Sequence, residues 1–148
     1  YGYSTAWFCR AVKENGGGIV HHVVWDEGLS ARARSHLSTL GYSDIVRFHV
    51  GEAVTELSSE EDNSFDLIFN DIDKDGYPKA LPVIASKLRS GGVLVIDNML
   101  LQGRIFDNEA SGKDLDGVRE FTRMITTDDT WTCSLIPIRD GLIVAQRR

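Results

Sequence analysis

The 148-residue sequence is poor in cysteine, with two, and in proline and methionine, with three and two, and it has no long hydrophobic run. Cys9 and Cys133 lie far apart, with no Cys-x-x-Cys or Cys/His cluster. That excludes a disulfide framework and a zinc site of ordinary spacing, and it suits a reducing compartment with two ordinary buried thiols. No stretch approaches the ~18 consecutive apolar residues of a membrane helix, and no charged-then-apolar leader is present, so the cytoplasm is the expected location. Basic residues are in deficit, with 16 Lys and Arg against 22 Asp and Glu and a net charge of −6. Nucleic acid is therefore excluded as the main partner, because duplex binding needs a concentrated basic face. Neither nucleic acid nor a membrane is expected, which leaves small ligands.

What the chain does contain is a globular balance, 42% hydrophobic and 26% charged, at a length suited to one domain. The spacing of Ala6, Trp7, Ala11 and Val12 predicts a helix from Ser4 to Glu14, with Ser4 as N-cap. Gly16-Gly17-Gly18 leads into the β-branched run Ile19–Trp25, so it reads as a turn and not as a phosphate loop. Helix from Ser30 to Leu40, strand Val46–Val50, a helical turn Ala53–Leu57 and strand Asp66–Phe69 follow. A helix Lys79–Leu88 is expected to end at Gly91-Gly92 before the apolar strand Val93–Ile96. Beyond the irregular stretch Gln102–Lys113 come a helix Leu115–Ile125 and strands Thr132–Ile138 and Leu142–Gln146, joined through Asp140-Gly141, a strong hairpin signal. Such alternation predicts an α/β fold, a Rossmann-like doubly wound and mostly parallel sheet with a carboxyl-terminal antiparallel hairpin. The chain opens on Tyr1-Gly2-Tyr3-Ser4, a turn entering a helix, so the first strand of such a sheet is expected upstream.

The densest polar cluster is Asn70-Asp71-Ile72-Asp73-Lys74-Asp75-Gly76-Tyr77, directly after an apolar strand. Asp71, Asp73, Asp75 and Gly76 mimic an EF-hand loop, but its twelfth position, a bidentate Glu in that motif, is Pro82 here. The next strand delivers Asp97 and Asn98 at its own carboxyl end. Adjacent strands lie ~4.8 Å apart, so Asp71, Asp97 and Asn98 can converge on one hard cation, with magnesium first and manganese or calcium as alternatives. The competing reading is that Asp71 and Asp97 fix turns or cap helices. His21 and His22 point to opposite faces of a strand, and they are read as structural, as are His36 and His49. Trp25 stands at a strand end, where it either packs into the core or meets a ligand ring.

In order and spacing, Gly2-Tyr3-Ser4, Gly51-Glu52-Ala53, Asp71-Ile72-Asp73-Lys74-Asp75-Gly76-Tyr77, Asp97-Asn98 and Pro137-Ile138-Arg139-Asp140-Gly141 together resemble the class I S-adenosylmethionine-dependent O-methyltransferases of the caffeoyl-CoA and catechol type. The match covers nearly the whole chain. It implies one methyltransferase domain over residues 1–148 that lacks its amino-terminal part, and a homodimer. It further implies transfer of a methyl group from S-adenosylmethionine to a small aromatic, catechol-like hydroxyl, assisted by a divalent cation. By this resemblance Asp71, Asp97 and Asn98 hold the metal, and Gly2, Tyr3, Ser4, Gly51, Glu52, Ala53 and Asp73 contact the cofactor. Lys74 is the candidate base, beside Asp71, against a structural pairing with nearby carboxylates, and Gln102 falls where the family contacts substrate. The family's ribose-binding acid aligns with Val24, so Asp26 or Glu27 is expected to substitute, Asp26 first, against the competing role of both as helix dipole partners. Leu101 replaces a frequent tryptophan. The rival expectations are a non-catalytic cofactor-binding or scaffold fragment, and metal-dependent phosphoryl chemistry at Asp71 and Asp73, for which the chain offers no phosphate-cradling loop.

Overall fold

Strand-length apolar runs and helix-length amphipathic segments alternate along the chain, and the computed structural model, which describes residues 1–148, turns them into six strands and five helices. They fall into two compact units, Tyr1–Glu56 and Leu57–Arg148.

In the first unit α1 spans Tyr3–Glu14, β1 Val20–Val24, α2 Glu27–Thr39 and β2 Val46–Val50, while α3, Ala53–Ser58, runs across the boundary. The expected Ser4 cap is replaced by Gly2, whose φ of 83° sets the entry into α1 with no side-chain cap. Only a left-handed turn brings the chain in at that angle, and a Cβ there would meet Ala33 at 3.2 Å. Helix α2 starts three residues earlier than expected because the Asp26 carboxylate caps it, accepting from the Leu29 amide at 2.7 Å. Strands β1 and β2 pair in parallel from Val20 with Val46 to Val24 with Val50. Cys9, Leu37 and Val46 are the buried centre, packed by Ala6, Val20, Tyr42, Ile45 and Phe48.

The second unit holds β3 (Phe65–Asn70), α4 (Tyr77–Lys87), β4 (Leu88–Ile96), α5 (Lys113–Thr127), β5 (Trp131–Ile136) and β6 (Leu142–Arg147). Its sheet has the order β3-β4-β6-β5, with β3 and β4 parallel and both β4–β6 and β5–β6 antiparallel. The carboxyl-terminal hairpin thus closes one edge of the sheet. The core joins Leu81 and Ile84 of α4, Leu94 and Ile96 of β4, Val118, Phe121 and Ile125 of α5, and Ile143 and Ala145 of β6. Apart from Ala145, each contributes about 1.5–3 kcal/mol as its side chain leaves water.

A further expectation fails in this unit. Gly91-Gly92 does not end a helix before β4; it lies inside β4, which begins at Leu88, and the pairing with β3 shifts register between Phe65 and Leu67. Gly91 has a φ of 75°, so the glycines serve an irregularity in the ladder, a use of glycine that resembles a loop signal in sequence. Lys87 is buried at the end of α4 because its ammonium donates to Asp62 Oδ1 at 2.8 Å and to the Glu60 carbonyl at 2.7 Å. No helix is long and apolar enough to cross a membrane.

Candidate functional site

In the second unit the parallel register places Asn70 opposite Ile96. Asp71 and Asp97 therefore leave the sheet side by side, one residue past the last paired position, and the Asp97 amide still donates to the Asn70 carbonyl at 3.3 Å. Carboxyl ends of neighbouring parallel strands are where α/β sheets bind ligands.

The side chains there are held by a compact set of bonds. Lys74, in a 3-10 turn Lys74–Gly76, directs its ammonium to Asp71 Oδ1 at 2.9 Å and to the Ile72 carbonyl at 3.2 Å, over the Tyr77 ring at 5.4 Å. Its side chain is 18% exposed and that of Asp71 47%. The turn sits against α5 through Gly117, where a Cβ would strike the Lys74 carbonyl and the Asp75 backbone. Tyr77 is fully buried, edge-on to Phe121 at 5.8 Å, and donates to the Asp97 carbonyl at 2.9 Å. Burial first, then the charges of Asp71, Asp97 and Asp140, push its phenol well above the ordinary value. Three carboxylates thus bear on one buried hydroxyl.

Asp97 Oδ1 accepts from the Asn98 amide at 2.7 Å, and Asn98 Nδ2 donates to Asp140 Oδ2 at 3.2 Å. Asp71 Oδ2, Asp97 Oδ2 and Asn98 Oδ1 are left with no hydrogen bond inside the protein, and all three are hard oxygen donors. That donor set fits magnesium, manganese or calcium better than a soft or nitrogen-seeking ion. Gln102, exposed, lies in the following loop with φ 55°. Asp73 precedes the 3-10 turn with an exposed carboxylate.

In the first unit Glu52 is a helix cap. Its Oε1 accepts from the Val54 amide at 3.0 Å, and its Oε2 from the Thr55 amide at 2.7 Å and the Thr55 hydroxyl at 2.8 Å. Against a burial penalty, these bonds lower its pKa. Asp26 also caps, but only through Oδ1, and its Oδ2 stays open. Gly51 follows β2 and its amide donates to the Val24 carbonyl at 3.0 Å; Ala53 opens α3. Tyr3 and Ser4 are exposed in the first turn of α1, and the Ser4 hydroxyl makes no bond. Trp25 is 67% exposed, which removes the core reading for that ring. Asp26 Oδ2, an acceptor just past β1, and the Ser4 hydroxyl on α1 are the polar groups left open in this unit.

Two arrangements escape the sequence reading. His49 Nε2 and His21 Nδ1 lie 3.1 Å apart across β1 and β2, with His49 Nδ1 3.7 Å from Glu56; strand register, not sequence proximity, pairs them. The second is Asp140, which the sequence presents only as a turn residue.

Comparison with known proteins bears on this geometry. The family model described as O-methyltransferase matches residues 1–148. A catechol O-methyltransferase of Niastella koreensis is 28% identical over 152 residues, covering 97% of this chain and 68% of that protein. A curated relative from Mycolicibacterium smegmatis is 38% identical over 102 residues, and the match spans 69% of this chain and 49% of that one. Among solved structures, the O-methyltransferase TomG of Streptomyces achromogenes, in complex with SAM, superposes with a TM-score of 0.88 at 27% identity, over 99% of this chain and 68% of that one. The O-methyltransferase of Bacillus cereus, in complex with SAH, gives 0.89 at 26%, over 99% and 70%. The chain therefore spans between about half and two thirds of the length of these relatives.

Proposed function

The chain belongs to the O-methyltransferase family, and from that footing we propose that it methylates a hydroxyl of a small aromatic acceptor with two adjacent oxygens, using S-adenosylmethionine and a divalent cation. The observation that carries this reading is the set of three unclaimed oxygens, on Asp71, Asp97 and Asn98, at neighbouring strand ends beside Lys74. Asp71, Asp97 and Asn98 would hold the cation, magnesium before manganese or calcium. Gly2, Tyr3, Ser4, Asp26, Gly51, Glu52 and Ala53 of the first unit, and Asp73 of the second, are assigned to the methyl donor. Of these, Glu52 acts through its cap, which fixes the amide end of α3, because both of its oxygens are engaged.

When bound, S-adenosylmethionine supplies an activated methyl group, and the cation supplies charge stabilisation for an acceptor oxygen. The protein's part is positional and acid–base. Lys74, with its ammonium nitrogen drawn to the Asp71 side of the site, takes the proton from the acceptor hydroxyl when it is in its neutral form. Gln102 contacts the acceptor from the loop after β4. Tyr77 is kept protonated and tethers the end of β4, so it does not compete as a base. No covalent enzyme intermediate is required, and orientation carries much of the rate. We assign the chain to a homodimer in the cytoplasm, where its two free thiols are stable.

The decisive measurement is product formation from catechol and S-adenosylmethionine, followed by mass spectrometry with Mg2+ and with excess chelator. A monomethylated product that disappears with chelator is expected. Methylation at full rate in chelator, or none in either condition with S-adenosylmethionine bound, would overturn the reading.

A further inference from the structure

The loop after β4 is backbone-strained and docked onto the hairpin turn. Asn98, Leu101 and Gln102 have φ of 57°, 46° and 55°, and Gly103 follows at 86°. Asn tolerates the left-handed region through its short polar side chain, but Leu and Gln do so at a cost of order 1–3 kcal/mol each. Something must hold them there. The Met99 amide donates to the Gly141 carbonyl at 3.0 Å and the Leu100 amide to the Asp140 carbonyl at 2.8 Å. The turn accepts this approach because residue 141 is glycine, with φ 79°; a Cβ there would collide with Leu100.

The Asp140 side chain completes the junction. One carboxylate oxygen accepts from Asn98 Nδ2 at 3.2 Å, the other from the Gln102 main-chain amide at 2.5 Å. Each oxygen is held by an amide donor, which fixes the carboxylate between Asn98 and the loop. A carboxylate can only accept, and the end of the Asn98 amide that faces it must therefore be the NH2. Asn98 Oδ1 is thereby turned away from Asp140.

We propose that Asp140 is a positioning residue that aims the Asn98 carbonyl oxygen at the cation and, through the same carboxylate, locks the loop carrying Gln102, so that cation binding and acceptor binding are coupled. The inference rests on the cation site proposed above. The physical reason is that an unanchored amide presents oxygen or nitrogen with little preference, and nitrogen cannot ligate. Partners that orient a metal ligand commonly control affinity by ~10 to 100-fold.

The test is Mn2+ binding by electron paramagnetic resonance titration on the whole chain, with thermal melts to confirm folding. Asp140→Asn is isosteric but offers an NH2 toward one of its two partners, and a ~10 to 100-fold weaker Mn2+ affinity is expected, within the range for such outer partners. The exchanged pair Asn98→Asp with Asp140→Asn restores the donor–acceptor match at unchanged net charge, because the amide introduced at position 140 donates to the carboxylate introduced at position 98. It should recover affinity to within a few-fold of the wild type. Added catechol should tighten Mn2+ binding in the wild type and in the exchanged pair but not in Asp140→Asn. Unchanged Mn2+ affinity in folded Asp140→Asn, or losses in the exchanged pair that simply add, would overturn the positioning role. Asp97→Ala separates the two layers: if it leaves Mn2+ binding intact, the cation site itself falls, whereas if it abolishes binding while Asp140→Asn does not weaken it, only the positioning role falls.

Discussion

The buried hydroxyl of Tyr77 donates to the main-chain carbonyl of Asp97 at 2.9 Å, which ties the first turn of α4 to the end of β4 at the residue proposed to bind the cation. Tyr77→Phe removes this bond and leaves a carbonyl without its partner, so unfolding free energy should fall by about 1–2 kcal/mol, read from urea midpoints. Because burial and three carboxylates hold the phenol above its usual range, the same substitution should leave the phenolate absorbance that develops between about pH 9 and 11 unchanged, ordinary tyrosines titrating near ~10. A loss of absorbance in that window would contradict the assigned environment.

Asp97→Ala is expected to abolish measurable Mg2+ or Mn2+ binding by calorimetry. Catechol methylation should fall by at least two orders of magnitude, as loss of charge stabilisation at the reacting oxygen implies. Retained methylation at low metal would remove Asp97 from the site.

Lys74→Met separates two roles of the lysine. Its ammonium occupies Asp71 Oδ1 at 2.9 Å, so removing it should leave Mn2+ affinity unchanged or tighter. Turnover should drop by about 10² to 10⁴-fold, the usual worth of a general base. Weaker metal binding with little change in turnover would instead make Lys74 a structural partner of Asp71.

Gly117→Ala tests the close approach of α5 to the 3-10 turn. A methyl group there meets the Lys74 carbonyl and the Asp75 backbone, and backbone cannot move aside as a side chain can. Overpacking of this kind costs about 1–3 kcal/mol, measurable as a lower urea midpoint. A midpoint equal to wild type would show that the turn yields freely.

Acid should weaken the first unit through His22. Its Nδ1 lies 2.8 Å from the Thr5 hydroxyl and its Nε2 is buried without a partner. Burial, and next the amino-terminal charge, lower its pKa. The folded value is below the unfolded one of ~6.5, so the unfolded state binds more protons as pH falls. The stabilisation is complete above about pH 6.5 and is lost below it. Thermal midpoints measured from about pH 7.5 to 5 should decline, and His22→Gln should flatten the decline; an equal slope in both would exclude His22 as its source.

Much of this architecture was legible in local pattern. Strand β2 falls at Val46–Val50, where a short strand is read in the sequence, and the Asp140-Gly141 signal does join two antiparallel strands. The placement of Asp71 and Asp97 one residue past adjacent strands followed from where each run of apolar residues stops. What local pattern misread were residues whose chemistry serves two purposes. Gly91-Gly92 resembles a helix stop but accommodates a ladder irregularity, Ser4 resembles a cap that Gly2 makes unnecessary, and Glu52, drawn into the cofactor set by resemblance, also caps a helix with both oxygens.

The sequence by itself determined the order of strands and helices and the acidic strand ends, because side-chain periodicity and apolar-to-polar boundaries are properties of neighbours in the chain. Only the tertiary structure decided which oxygens remain open. Lys74 takes one from Asp71, and Asp140, 42 residues beyond Asn98, takes its amide nitrogen and the Gln102 amide together. Hydrogen-bond allegiance at that separation depends on a hairpin folding back beside β4, and no local rule carries that information.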